Sequence, residues 1–144
     1  MSVRFTMNMS KDEILGELRK LGLAVEPCGS MVTCSPPPSD TDEDFLVELS
    51  RDHQWSVVGD VMKRGGLYLD GLDYSNGPEQ MFQSWKSNPR HDLGKQMNFI
   101  ITSDFDFADH HRLATKICKR LNLMNKTDRV AVFQGVLYDN WKGV

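Results

Sequence analysis

The chain contains no apolar run approaching the roughly 18 residues that a bilayer-spanning helix needs, so a membrane span is not expected. Its first residues, MSVRFTMNMSKDEI, lack the apolar core of a secretory signal. Cysteine is sparse: Cys28, Cys34 and Cys118 are an odd number with neither C-x-x-C nor zinc-like spacing. That pattern speaks against a disulfide framework or a zinc finger and for a reduced, cytoplasmic setting. Positive charge is not in excess, with 17 Lys and Arg against 20 Asp and Glu, a net charge of −3 and a pI near 5.8. A protein that coats nucleic acid is therefore not expected, although Lys63, Arg64, Lys86, Arg90 and Lys95 offer a local basic patch. No repeat, second composition or long low-complexity run divides the chain, and 144 residues suffice to bury a core. One globular domain over residues 1–144 is the expectation.

The most informative stretch runs from Gly29 to Val47, GSMVTCSPPPSDTDEDFLV. A Gly-Ser pair opens it and a proline-rich polar loop follows. Asp42-Glu43-Asp44 then leads into an apolar run. Side chains two apart on a strand share a face, so Asp42 and Asp44 would sit side by side at the start of a strand over Glu43–Leu49. Crowded carboxylates repel unless a positive charge lies between them, and hard divalent cations such as Mg2+ take carboxylate oxygens. Gly29 and Ser30 offer backbone N–H groups and a hydroxyl without bulk, as a phosphate cradle requires. Read blandly, the same residues are an acidic turn entering an ordinary core strand behind a proline-rich loop.

Elsewhere the patterning predicts a helix over Lys11–Leu21, capped by Ser10 or Asp12, with Ile14, Leu15, Leu18 and Leu21 on one stripe. Gly22 ends it, and a strand over Leu23–Cys28 delivers the Gly-Ser pair. A short helix begins near Met31, its N-terminus strengthening the phosphate site. A helix over His53–Arg64 buries Trp55, Val58, Val61 and Met62, and a short strand follows at Leu67–Leu69. The polar stretch DGLDYSNGPEQ reads as a loop, and Phe82–Lys86 as either a strand or part of a short helix. Gln96–Thr102 is the clearest strand. A helix capped by Ser103 or Asp104 reaches Leu121, with Phe107, Ala114, Ile117 and Leu121 inward. A last helix spans Lys126–Tyr138, its buried face formed by Val130, Phe133, Val136 and Leu137. The sum is an α/β (α+β) domain, a mixed sheet with helices packed on it.

An apolar strand end, Gly-Ser, a loop and Asp-x-Asp running into an apolar strand resemble the signature of the nucleotidyltransferase superfamily. Gly29, Ser30, Asp42 and Asp44 match it, with Phe45-Leu46-Val47 as the strand. The resemblance implies a polymerase-beta-like palm in which Asp42 and Asp44 hold Mg2+ and Gly29 and Ser30 receive the phosphates of a nucleoside triphosphate. It also implies a third carboxylate on a neighbouring strand. The natural counterpart, Met97–Thr102, carries Asn98 instead, a neutral amide that cannot usefully accept a proton. Asp104 and Asp106 lie just beyond and are the substitutes within reach, Asp104 doubling as a helix cap. Lys126 and Arg129, at i, i+3 on one helix face, are candidates for the phosphates or a solvated helix start.

The segments Phe82–Lys86, Asn98–Thr102, Ala114-Thr115, Leu121–Leu123 and Lys126 through Tyr138 are together similar to small bacteriophage-encoded nucleotidyltransferase-like proteins, in which asparagine at this strand is usual. The expected function is Mg2+-dependent transfer of a nucleoside monophosphate from an NTP to a hydroxyl on a protein, an RNA end or a small molecule. If phage-encoded, the chain would act in the host cytoplasm. The alternative from another class is an inactive palm-like protein that binds or inhibits a host or defence component. A nucleotide sensor is a third possibility. His110-His111 does not read as a metal pair, since adjacent helix residues face apart. His53 carries little weight. Trp55, Trp85 and Trp141 read as core or surface more readily than as base-stacking platforms, and Cys28 as buried strand packing rather than a nucleophile.

Overall fold

The computed structural model describes residues 9–39, 41–50, 54–72, 82–88 and 96–138. Their order is α1 (Lys11–Lys20), β1 (Ala24–Cys28), α2 (Ser30–Thr33), β2 (Glu43–Glu48), α3 (Gln54–Arg64), β3 (Leu67–Leu72), β4 (Gln83–Ser87), β5 (Met97–Thr102), α4 (Phe105–Leu121) and α5 (Lys126–Tyr138). The expected mixed α/β architecture is the one observed. The ambiguous stretch after Phe82 is a strand, and β3 runs three residues past Leu69. His53, Arg90, Lys95, Trp141 and most of the DGLDYSNGPEQ stretch lie outside the described residues.

The strands form one five-stranded sheet in the order β1-β2-β5-β4-β3. β2 and β5 are parallel, and the other three pairings are antiparallel. β5 is central because its alternating residues Met97, Phe99 and Ile101 are wholly apolar and buried. β1 tolerates Pro27 because it lies at the sheet edge, where a missing N–H leaves no neighbour unpaired.

Strand alternation sends Phe45, Val47, Phe99, Ile101 and Trp85 to one face, under α1 and α3. Ile14 and Leu18 of α1 and Val58, Val61 and Met62 of α3 close over them. Phe45 and Phe99 stack there at 5.2 Å between ring centroids. α1 starts at Ser10 with a full capping box: Ser10 Oγ accepts from Glu13 N at 3.2 Å, and Glu13 Oε1 accepts from Ser10 N at 2.9 Å. Trp55, expected in this core, is half-buried at its margin.

The opposite face carries Cys28, Asp44, Leu46, Asn98 and Ile100 and lies under α4 and α5. Asp104 caps α4, its Oδ1 accepting from Phe107 N at 3.0 Å. Arg112 fastens the helix to the sheet by ion pairs with Glu26 of β1 and Glu48 of β2. Phe107 and Ala114 are buried as expected, but Leu121 is 61% exposed, because α4 ends there as the chain turns away. Val130 is likewise 46% exposed, and Phe133, Val136 and Leu137 are only half-buried. α5 packs chiefly on α4, and that leaves part of its apolar face turned to open space beside the sheet.

Candidate functional site

That open space is a cavity of about 650 Å³ between the second sheet face, the Gly29–Asp42 loop, α4 and α5. Six residues singled out in the sequence meet on its wall: Gly29, Ser30, Asp42, Asp44, Lys126 and Arg129. The chain brings them together from three places. β1 ends at Cys28, whose partner in the register is Asp44, so the Gly-Ser turn emerges beside the start of β2. Asp42 and Asp44 follow the alternation of β2 onto the same face. The tight turn from α4 into α5 then sets Lys126 at the rim.

Gly29 adopts φ +76°, ψ −170°, a conformation essentially restricted to glycine. A Cβ there would also fall inside the van der Waals shell of Asp44 Oδ2 and 2.8 Å from its Cγ. Backbone and carboxylate are thus in direct apposition, which no other residue permits. Ser30 does not stand alone: its hydroxyl is hydrogen-bonded to that of Thr41, a buried residue at the far end of the loop. The one-turn α2 is too short to add an appreciable helix dipole to this corner.

Asp44 is half-buried, and its carboxyl is pushed up to about 6. Burial is the main cause and the neighbouring Asp42 adds to it, while a hydrogen bond from Asn98, Lys86 and Lys126 act the other way. Asp44 and Asn98 are register partners on parallel strands. The Asn98 amide oxygen accepts from Ser84 Oγ at 3.0 Å. With its oxygen occupied there, Asn98 presents its NH₂ to Asp44 as a donor. It supports the carboxylate and does not complete an acidic triad. Asp104 is not on the cavity wall and serves as the α4 cap. Among the described residues no group of three or more His, Cys, Asp and Glu side chains is placed to hold a metal ion.

Lys126 is exposed and its charge reaches Asp44. Arg129 is more committed. Its Nη1 donates to the carbonyls of Leu123 and Met124, both at 2.9 Å, and lies 3.1 Å from Cys34 Sγ. Asn122 exchanges hydrogen bonds with the backbone of Ser35, accepting at 2.9 Å and donating at 3.3 Å. These two side chains tie the start of the proline-rich loop to the α4–α5 turn. Of the basic patch, Arg64 pairs with Glu17 and Asp60, and Lys86 with Asp70. Burial, with Asp44 nearby, pushes the Cys28 thiol far up, so it stays protonated and unreactive.

Thr41, Phe82 and His111 also line the cavity, and nothing in the sequence marks them as site residues. Phe107 and His111 are four apart on α4, so their common face was legible, but a histidine on an apolar stripe looks the same whether it lines a cavity or fills a core. His110 is exposed, its Nδ1 2.7 Å from Asp106 O, and the two histidines do not act as a pair.

No protein-family model matches the chain, and neither does any curated protein. Among solved structures, the conserved protein GrpB from Enterococcus faecalis superposes with a TM-score of 0.52 at 14% identity. The match covers 92% of this chain and 91% of that one, and it shows a shared fold. Two structures of the Cid1 poly(U) polymerase, one of them a variant bound to MgATP, match 93% of this chain at 13% and 14% identity. This chain covers 42% and 43% of theirs, and TM-scores of 0.46 and 0.45 give these two likenesses no weight of their own.

Proposed function

We propose that the cavity is a Mg2+–nucleoside triphosphate site of the nucleotidyltransferase type, and that the chain transfers a nucleoside monophosphate to a hydroxyl acceptor. The observation that carries this reading is the meeting of Gly29, Ser30, Asp42, Asp44 and Lys126 on one cavity wall. The donor set suits Mg2+, which is commonly held by one or two carboxylates together with substrate phosphates rather than by an all-protein cage. Asp44, whose carboxyl is pushed up to about 6 by burial and by Asp42, is a carboxylate that a cation would relieve. When bound, Mg2+ would neutralise charge developing on the phosphate oxygens.

The chain's own residues have separable tasks. Gly29 lets backbone approach the phosphates, and Ser30, held by Thr41, orients a hydroxyl toward them. Lys126 adds a positive charge at the rim. In the transfer, the acceptor oxygen attacks the α-phosphorus, pyrophosphate leaves, and the hydroxyl proton passes to water, since the third-carboxylate position holds Asn98. The acceptor is a hydroxyl on a protein, an RNA end or a small molecule. In a bacteriophage setting that protein would belong to host or phage.

Asn98 also favours a second reading, a nucleotidyltransferase-fold protein that binds a host or defence component without turnover. A thermal-shift titration with each NTP, with and without Mg2+, separates the two. Under the first reading an NTP raises the melting temperature only with Mg2+, and Asp42→Asn with Asp44→Asn abolishes the rise. Labelled-NMP incorporation then tests transfer. A double variant that keeps its Mg2+-NTP affinity would show that the carboxylates are not the metal site.

A further inference from the structure

The strand register sets Cys28, Asp44, Asn98, Lys86 and Tyr68 side by side in one row across the sheet. Register partners share a face, so these side chains stand on the side that carries the cavity. Asn98 holds the middle of the row, with the Asp44 carboxylate on its β2 side and the Lys86 ammonium on its β4 side. Lys86 pairs with Asp70 at 3.1 Å, and its charge still reaches Asp44.

The Asn98 amide is oriented across that row. Its oxygen accepts from Ser84 Oγ of β4 at 3.0 Å, and its NH₂ donates to Asp44 of β2. The reverse orientation would set the amide oxygen against the carboxylate and the NH₂ beside Lys86, with like charge at both ends. The surroundings of the Asp44 carboxylate are therefore unequal. Its Oδ2 lies against the Gly29 backbone, and Asp42 adds a second carboxylate on the same cavity wall. On the β5 side a cation meets N–H hydrogens, which carry partial positive charge, with Lys86 beyond them. Mg2+ takes oxygen ligands, and two-ion sites hold their ions about 3.5–4 Å apart. Among the described residues no third acidic, histidine or cysteine side chain joins Asp42 and Asp44 to hold a metal. One divalent ion neutralises the two carboxylates. A second beside it would lack a protein oxygen of its own and would be repelled by the first ion, by the NH₂ and by Lys86.

We propose that the Asp42–Asp44 pair takes a single divalent cation, and that Asn98, anchored by Ser84, keeps a second one out. The inference rests on the proposed Mg2+–NTP site and fixes how many ions it holds. The exclusion is a property of the amide. An acid at residue 98 would add a third carboxylate to two already crowded ones and would call for a second ion to offset it. With one ion present, the acceptor hydroxyl attacks without a cation of its own to lower its pKa, in keeping with a proton that passes to water.

Mn2+ serves as the probe, because two Mn2+ ions about 3.5–4 Å apart couple magnetically and an isolated one does not. Electron paramagnetic resonance of the wild-type chain, with Mn2+ alone and with each of the four α,β-methylene NTPs, should show an uncoupled ion. Asn98→Asp should show the coupled pair and bind one Mn2+ more than the wild type does. A coupled pair in the wild type overturns the inference and leaves the Mg2+–NTP site standing. An uncoupled ion in folded Asn98→Asp overturns the part given to Asn98. Absence of bound Mn2+ from the wild type in every mixture overturns the inference together with the reading beneath it. If Asn98→Asp fails to fold, the side-chain amide of wild-type Asn98 decides its role by NMR. With Mg2+ bound, the NH₂ protons should exchange slowly with water, as donors to Asp44 do. Fast exchange, the sign of an amide released from the carboxylate, sinks the assignment.

Discussion

The two faces of the sheet are built from the same strands and reach opposite ends. Beneath α1 and α3, odd-numbered residues of β2 and β5 bury Phe45, Val47, Phe99 and Ile101 in a closed apolar layer. Beneath α4 and α5, the even-numbered residues run from Asp44 and Asn98, through Leu46 and Ile100, to Glu48 and Thr102. There the helices leave a cavity with Asp42, Asp44 and Lys126 on its wall. A half-open face costs stability, which the closed face supplies. One sheet can therefore carry a strained glycine, an uncomfortable carboxylate and an unpartnered imidazole on its working side.

The largest effect should come from the closed face. Phe99→Ala removes the central ring of the core and should destabilise by about 3–5 kcal/mol in denaturant unfolding. Since Phe99 faces away from the cavity, any folded fraction should keep its affinity for Mg2+-NTP. A loss of affinity in the folded fraction would mean that the two faces are not independent.

On the working face two titrations oppose each other. Asp44 has a folded value of about 6, above the 3.8 of the unfolded chain, so the folded state binds the extra proton and stability from this group rises as pH falls through 6 toward 3.8. His111 has a folded value of about 4, below 6.5, so the unfolded state binds the extra proton and stability is lost as pH falls from 6.5 toward 4. Each amounts to roughly 3 kcal/mol at full extent. Between pH 6 and 4 the wild type should therefore change less than either variant. Relative to wild type, Asp44→Asn should lose stability on acidification and His111→Phe should gain it. Parallel curves for the three proteins would contradict both environments.

Gly29→Ala should cost about 1–3 kcal/mol from the backbone conformation alone. It should also weaken Mg2+-NTP binding more than it weakens the fold, because the added methyl displaces the Asp44 carboxylate. Calorimetric titration beside thermal unfolding separates the two. The smallest effect is expected at Arg112→Gln, about 1–2 kcal/mol, since the ion pairs with Glu26 and Glu48 are partly solvated. That loss should shrink in high salt, and a salt-independent loss would point to packing instead.

Much of this arrangement was legible beforehand for a local reason. Alternation over β2 and β5, the Ser10 capping box and the glycine after β1 are short-range patterns, and they placed most elements within a residue or two. Apart from Trp55 of α3, the errors of burial fall on α4 and α5. Their apolar stripes predicted burial for Leu121 and Val130, but burial depends on a partner, and α5 has α4 on one side and the cavity on the other. Arg129 was likewise legible as a cation beside Lys126, whereas its tie to the Leu123 and Met124 carbonyls depends on how the chain turns.

From its own residues the chain determined that Asp42 and Asp44 share a face and that Gly29 and Ser30 form a turn without bulk. Those are consequences of period and chemistry within a few bonds. Only the tertiary structure decided that Asn98 turns its oxygen to Ser84 and its NH₂ to Asp44, that Thr41 holds Ser30, and that His111 ends buried without a partner for Nδ1 among the described residues. Each of these is settled by residues distant in sequence, and a side chain's protonation and hydrogen bonding follow from the neighbours that folding brings, not from those the chain lists beside it.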